Sequence, residues 1–130
     1  MNVLLDTHIF LWLQSDPERI NDHALAVASD PTTDLLLSAA SAWEIAIKAA
    51  LGRLRLPEPP HVYVPTRMQI SAIDGLAIGF DHVLAVASLP LHHRDPFDRI
   101  LIAQAQQESI ALMTADPNIL AYDLEVIDAR

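Results

Sequence analysis

Four acidic residues are spread along the chain, each where an apolar strand stops or a helix starts: Asp6, Glu44, Asp98 and Asp116. The strands of an open parallel sheet deliver their last residues to the same edge, so acids that are distant in sequence can meet there. Carboxylates a few ångströms apart disfavour joint ionisation unless a divalent cation is bound between them. This placement predicts one shared metal-binding pocket.

The composition of this acid set indicates which metal it would bind. Carboxylate oxygens with few histidine nitrogens are ligands for Mg²⁺ or Mn²⁺, whereas Zn²⁺ favours more nitrogen. A cation held in this way lowers the pKa of a bound water, orients that water and neutralises charge that builds up on a phosphate. The chemistry indicated is phosphodiester hydrolysis.

Each acid also has a structural explanation. Asp95 and Asp116 precede prolines, an arrangement that often caps the first turn of a helix. Asp98 then falls at the third helical position, where an acid favours the positive end of the helix dipole. Glu44 can pair with Lys48 one turn later, and the acid after the first strand can cap the first helix. Taken singly, each acid is more often structural; jointly, their positions favour one site.

The elements that must position these acids alternate between strands and helices. Short apolar runs predict strands at 2–5, 35–37, 76–78, 111–113 and 125–127. Helices are predicted over 7–13, 21–29, 38–51, 61–72 and 81–88, and a long helix opens within 92–99. Pro65 weakens the helix over 61–72. The alternation indicates an α/β fold, and we expect one domain over residues 1–130.

The composition excludes several classes of function. With no cysteine, the chain has no disulfide, no thiolate metal site and no cysteine nucleophile. Its net charge of −9 argues against strong non-specific binding to duplex DNA, although it allows a nucleic-acid substrate bound through a metal, or a basic partner. No signal peptide or membrane span is evident, so we expect a cytoplasmic protein without membrane contact.

Four segments resemble a known family: Leu4–His8, Ser41–Lys48, His93–Ala105 and Thr114–Asp116. In this order, and in a chain this short, they resemble PIN-domain nucleases, in particular VapC-type toxins of type II toxin-antitoxin pairs. The resemblance implies a central parallel sheet of four to five strands flanked by helices. It also implies endonucleolytic hydrolysis of RNA with Mg²⁺ or Mn²⁺, a homodimer, and a small VapB-type antitoxin that blocks the site.

The resemblance carries over to individual residues. It makes Asp6, Glu44, Asp98 and Asp116 the metal ligands and the catalytic residues. Asp98 is chosen over Asp95 because the third acid of the family precedes an Ile-Ala pair, as Asp98 does one turn on. Asp95 is then a helix cap or a support for the ligands.

Residues beside these acids are expected to support them or to contact the substrate. Thr7 and Thr114 lie close to ligand acids and can hold carboxylates or waters by hydrogen bonds. Arg94 and Arg99 flank Asp98 and are candidate contacts to RNA phosphates, although surface solvation or ion pairs with neighbouring acids explain them equally well. Lys48 is a further candidate, for which a solvated helix end is the more common explanation. No catalytic role is assigned to any histidine.

Two alternatives to an enzyme use the same acids. A receiver-like module that binds Mg²⁺ needs adjacent acids after its first strand, whereas this strand ends in Asp6-Thr7-His8. A catalytically silent PIN-like domain would serve only for association, and the presence of all four acids counts against it.

Overall fold

Five parallel strands form one sheet in the computed structural model, which describes all residues from 1 to 130. The strands are β1 (Asn2–Leu5), β2 (Asp34–Ser38), β3 (Ile73–Leu76), β4 (Ala111–Thr114) and β5 (Val126–Asp128), in the spatial order β3-β2-β1-β4-β5. The chain moves outward from β1 to β3, then returns to the other side of β1 for β4 and β5. The direction of winding therefore reverses between β1 and β4, and open α/β sheets bind ligands in the crevice at such a point.

Six α-helices connect the strands: α1 (Thr7–Ser15), α2 (Asp22–Ser29), α3 (Ala39–Ala50), α4 (Pro60–Ile70), α5 (Phe80–Ala85) and α6 (Pro96–Glu108). Short 3₁₀ helices follow at Pro17–Arg19, Val86–Ser88 and Pro117–Ala121. This architecture confirms the predicted α/β fold with a parallel sheet flanked by helices. None of the helices has the length and apolar character needed to cross a membrane.

The local sequence explains where several helices begin and end. The side chains of Asp6, Asn21, Ser38 and Asp95 accept hydrogen bonds from backbone amides in the first turns of α1, α2, α3 and α6. Gly52 follows α3 with a φ of 72°, as glycine does after many helix ends. The sequence therefore predicts these helix ends well, because the determinants are local.

Two predicted elements differ from the observed ones. The third strand is Ile73–Leu76, so it begins three residues before the predicted apolar run at 76–78 and overlaps that run only at Leu76. As an edge strand paired only with β2, it buries Ile73 but exposes Asp74 and Gly75, so it has no continuous apolar run. The helix predicted over 81–88 is divided into α5 and the 3₁₀ helix Val86–Ser88.

The two faces of the sheet carry separate hydrophobic clusters. Val3 and Leu5 of β1 belong to the larger cluster, and Leu4 belongs to the smaller one. Side chains alternate across a strand, so β1 is buried on both faces, as expected for the central strand of a parallel sheet. Leu101 and Ala105 of α6 pack in the smaller cluster. The sheet and α6 therefore hold the ends of β1 and β4 in fixed positions.

Candidate active site

Three of the four predicted acids line one pocket at the carboxyl ends of β1 and β4. The pocket has a volume of about 340 Å³ and is lined by Asp6, His8, Trp12, Arg19, Asp98, Ala115 and Asp116. Asp6 directly follows β1, Asp116 follows β4 by two residues, and Asp98 lies in the first turn of α6. The pocket thus lies in the crevice that the strand order predicts.

Asp6 is almost fully buried, with only 4% of its surface exposed. Its Oδ1 accepts a hydrogen bond from the His8 backbone N–H at 2.8 Å, and its Oδ2 accepts one from the Thr114 hydroxyl at 2.7 Å. Burial would raise the pKa of Asp6, but the hydrogen bonds from His8 and Thr114 outweigh burial and lower the pKa below its usual value. Asp6 is therefore held as a carboxylate.

Asp116 combines a cap with a position in the pocket. Its Oδ1 accepts a hydrogen bond from the Asn118 N–H at 2.9 Å and so caps the 3₁₀ helix Pro117–Ala121. Its own N–H donates to the Thr114 hydroxyl oxygen at 3.0 Å, the same hydroxyl that donates to Asp6. Thr114 thereby links the acids that follow β1 and β4.

His93 lies between two of these acids. Its Nε2 is 2.6 Å from Oδ2 of Asp116 and 3.1 Å from Oδ2 of Asp98. Its Nδ1 accepts the Asp95 backbone N–H at 3.1 Å, so the neutral ring carries its proton on Nε2 and donates toward the two carboxylates. Sequence reasoning assigned no role to His93, and its only signal was its position just before the third acid.

Asp98 has the most perturbed carboxyl group of the site. Burial raises the pKa of Asp98 to about 7, together with the negative charges of Asp6, Asp95 and Glu44, and His93 partly opposes this rise. Nothing in the backbone donates to its carboxylate, because Asp95 accepts the amides of Phe97 and Asp98 as the cap of α6. A cation bound beside these carboxylates would relieve this repulsion, so the residues present fit a divalent metal of the Mg²⁺ type.

Glu44, the fourth predicted acid, is not among the side chains that line this pocket. It is buried on α3, and its Oε2 pairs with Lys48 Nζ at 2.5 Å. One turn earlier, Ser41 accepts a hydrogen bond of 2.9 Å from the Thr7 hydroxyl, which joins α3 to α1 beside Asp6. The structure therefore brings Glu44 near the other acids, with its charge balanced by Lys48.

The predicted phosphate contacts have different surroundings. The Arg99 guanidinium donates to the backbone carbonyls of Val86, Leu89, Pro90 and His93, and so holds the segment before α6. These contacts give Arg99 a structural role, and a phosphate contact at Arg99 stays a prediction. Lys48 is engaged by Glu44, whereas Arg94 is exposed and its side chain forms no hydrogen bond or ion pair.

An apolar groove of about 320 Å³ lies beside the acidic pocket. It is lined by Ala40, Trp43, Ile78, Val83, Val86, Pro96, Phe97 and Ile100. Trp43 is 61% exposed and packs edge-on against Phe97 at 5.2 Å between ring centroids. Trp43 directly precedes Glu44 on α3 and Phe97 directly precedes Asp98 on α6, so the same two helices carry groove residues and acids.

Comparisons with known proteins identify relatives in sequence and a structure of similar fold. Ribonuclease VapC16 from Mycobacterium tuberculosis is 47% identical over 57 residues, which cover 44% of this chain and 40% of that relative. Ribonuclease VapC22 from the same organism is 28% identical over 92% of this chain and 91% of its own length. The fold is similar to a chain in the crystal structure of VapBC2 from Rickettsia felis bound to a promoter DNA fragment. The match covers 100% of this chain and 100% of that chain, with a TM-score of 0.69 and 12% identity.

The family assignment rests on nearly the whole chain. Residues 3–124 match the PIN domain, a range that begins in β1 and ends just before β5. This range contains every strand end and helix start that carries an acid of the site, together with Thr114 and His93. The chain therefore belongs to the PIN domain family.

Proposed function

We propose that this protein is a metal-dependent endoribonuclease that acts as the toxin of a VapBC-type toxin-antitoxin pair. The observation that carries the proposal is the convergence of Asp6, Asp98 and Asp116 in one pocket, where the pKa of Asp98 is raised to about 7. The relatives named ribonuclease, VapC16 and VapC22, support the choice of RNA as substrate.

Asp6, Asp98 and Asp116 would hold Mg²⁺ or Mn²⁺, with Glu44 as the fourth acid. The bound cation supplies Lewis acidity, which activates water and neutralises charge on the phosphate during hydrolysis. Thr114 fixes Asp6 through its hydroxyl, and Ser41 with Thr7 fixes the start of α1 against α3. Side chains fixed by such hydrogen bonds orient ligands and preserve their ionised form.

His93 orients the two remaining acids. Its Nε2 proton is shared between Asp98 and Asp116, which keeps their carboxylates turned toward each other. The ring is itself held by the Asp95 amide, so its orientation is fixed by the same residue that caps α6. His93 therefore acts as a positioning residue for the carboxylates.

We further propose a VapB-type antitoxin as partner, a homodimeric assembly and a cytoplasmic location. The apolar groove beside the acids would accept apolar side chains of the antitoxin, as expected for an exposed patch of this kind. The chain's net charge of −9 favours basic residues on a segment that covers the acidic pocket. VapBC2 of Rickettsia felis, a complex of this type, shares the fold.

The test is cleavage of a folded RNA pool by protein freed of any copurifying partner, in Mg²⁺, in Mn²⁺ and in EDTA. Asp6→Asn and Asp98→Asn are compared with Asp123→Asn, a matched change at an exposed acid outside the pocket. Cleavage that needs metal, is lost in both site variants and persists in the control supports the nuclease. Intact RNA with metal binding retained by calorimetry supports a silent binding module instead.

A further inference from the structure

We propose that Arg19, held over the ring of Trp12, binds the RNA phosphate adjacent to the one that is cleaved. This inference rests on the proposed function. Arg19 and Trp12 line the same pocket as Asp6, Asp98 and Asp116. Trp12 lies within α1, and Arg19 ends the 3₁₀ helix that follows α1. The pocket therefore has an acidic wall for a metal and a basic wall that sequence reasoning did not predict.

The negative charge of the chain gives a positively charged side chain in the acidic pocket particular weight as a contact to RNA. RNA is a polyanion, and a chain with net charge −9 repels it at any distance that salt does not screen. A cationic side chain beside the acids would favour approach of the RNA backbone to the pocket. Arg19 is the basic residue that lines it.

Several other basic side chains are engaged within the protein. Lys48 pairs with Glu44, Arg67 donates to Gln14, Arg99 donates to backbone carbonyls and Arg130 pairs with Asp128. By contrast, the Arg19 guanidinium donates no hydrogen bond and forms no ion pair, even though the pocket is lined with carboxylates. Its N–H donors are free, and their planar geometry suits the two oxygens of a phosphate.

Trp12 gives this guanidinium a fixed position. The Arg19 Cζ lies 4.3 Å from the centroid of the Trp12 ring, within the range of a cation–π contact. The ring is half-buried and packs against the larger hydrophobic cluster, so it does not move freely. Because the arginine is already restricted before RNA binds, less side-chain conformational entropy is lost on binding. Trp12 is therefore a positioning residue, and Arg19 is the residue that touches the substrate.

The competing explanation is that Arg19 only stabilises the turn after α1 by stacking on Trp12. Loss of a contact that is only structural would lower the free energy of unfolding, but it would not change how RNA affinity depends on salt. A phosphate contact does change it, because each neutralised phosphate releases counterions. The salt dependence of RNA binding therefore separates the two explanations.

The experiment measures binding of a fluorescein-labelled single-stranded RNA of about eight nucleotides, a length within the range of about 4–16 that one single-strand-binding OB fold covers. Ca²⁺ replaces Mg²⁺, because it takes the same carboxylate oxygens in a looser geometry and slows cleavage. RNA recovered afterwards is checked for integrity. Arg19→Gln is compared with Arg53→Gln, which removes the same charge from an exposed position outside the pocket.

We expect Arg19→Gln to weaken binding about tenfold or more at low salt, as for the loss of a charge-assisted hydrogen-bond pair. The slope of log K against log salt should decrease in magnitude by about 0.7, the value for one phosphate on a single strand. Arg19→Lys should keep the slope while weakening affinity less. Arg53→Gln should leave the slope unchanged.

A second readout uses the tryptophan itself. Trp12 and Trp43 are the two tryptophans of the chain, so in a Trp43→Phe protein the emission reports Trp12 alone. RNA binding should change this emission in the Trp43→Phe protein that retains Arg19. The change should be much smaller when Arg19→Gln is added to Trp43→Phe. Equal slopes and affinities for Arg19→Gln and Arg53→Gln, with metal-dependent cleavage intact, would overturn the inference and leave the proposed function standing. Absence of RNA binding by the unmodified protein would overturn both.

Discussion

Asp98→Asn should make the protein more stable at alkaline pH in EDTA, although it removes a candidate ligand. Burial and the charges of Asp6, Asp95 and Glu44 oppose ionisation of Asp98, and its pKa is raised to about 7 from its ordinary value of 3.8. Asparagine is neutral at every pH and close to aspartate in shape. The substitution therefore removes the repulsion while leaving α6 capped by Asp95.

The size of the effect follows from the shift. The rise in the pKa of Asp98 from 3.8 to about 7 corresponds to about 4 kcal/mol of unfolding free energy, at 1.36 kcal/mol per pH unit. Because the Asp98 side chain is 18% exposed, we expect about 2–4 kcal/mol. Between pH 4 and 7 the unfolded state has released this proton while the folded state retains it. The free energy of unfolding therefore falls as the pH rises through this window, and it levels off above the folded pKa.

At pH 8 in EDTA, Asp98→Asn should unfold at a temperature higher by about 7–15 °C, using an unfolding entropy of about 2 cal/mol/K per residue. At pH 4 the two proteins should unfold at nearly the same temperature. Adding Mn²⁺ should raise the unfolding temperature of the unmodified protein and not that of the variant, since ligand binding to the folded state stabilises it. Circular dichroism melts over this pH range, with Asp123→Asn as control, provide the measurement. If the unfolding temperature of the variant had the same pH dependence as that of the unmodified protein, the raised pKa of Asp98 would be contradicted.

Three further changes test other parts of the site. Thr114→Val removes the hydroxyl that donates to Asp6, so calorimetry should show Mn²⁺ binding weaker by about tenfold, whereas Thr114→Ser should retain it. Arg99→Gln should lower the free energy of unfolding in urea by about 2–4 kcal/mol, because backbone carbonyls lose charged donors; an unchanged KM for RNA would support its structural role. Trp43→Ala should weaken antitoxin binding at least tenfold in a surface-capture assay and leave RNA cleavage unchanged, since the exposed ring is a large apolar anchor of the groove.

The fold was predictable where the determinants are local. Continuous apolar runs identified β1, β2 and β4, and the caps Asn21 and Asp95 identified helix starts. The exception is β3, whose edge position exposes Asp74 and Gly75 and removes the apolar pattern on which the prediction depended. Strand order was beyond sequence patterns alone, because it depends on which strands pair across the sheet.

The sequence identified the acids of the candidate site, but it did not identify all the side chains that contact or surround them. The acids were evident because each follows a strand or begins a helix. His93 and Arg19 were missed, because their importance depends on partners that folding brings near: Asp116 for His93, and the acidic pocket for Arg19. The local alternative for Glu44, a pair with Lys48 one turn later, is present in the structure.

Capping and metal binding were weighed as alternatives, but the geometry of the acids makes them compatible. Asp116 uses Oδ1 as a cap and turns Oδ2 toward His93. In α6 the two tasks are divided: Asp95 accepts the free amides, and Asp98 receives no backbone donor. Asp98 is therefore the acid whose charge is least satisfied by the protein, and the one whose ionisation a cation would favour most. A helix that begins Asp-Pro-Phe-Asp thus provides both a stable first turn and a carboxyl group in the pocket that receives no backbone donor.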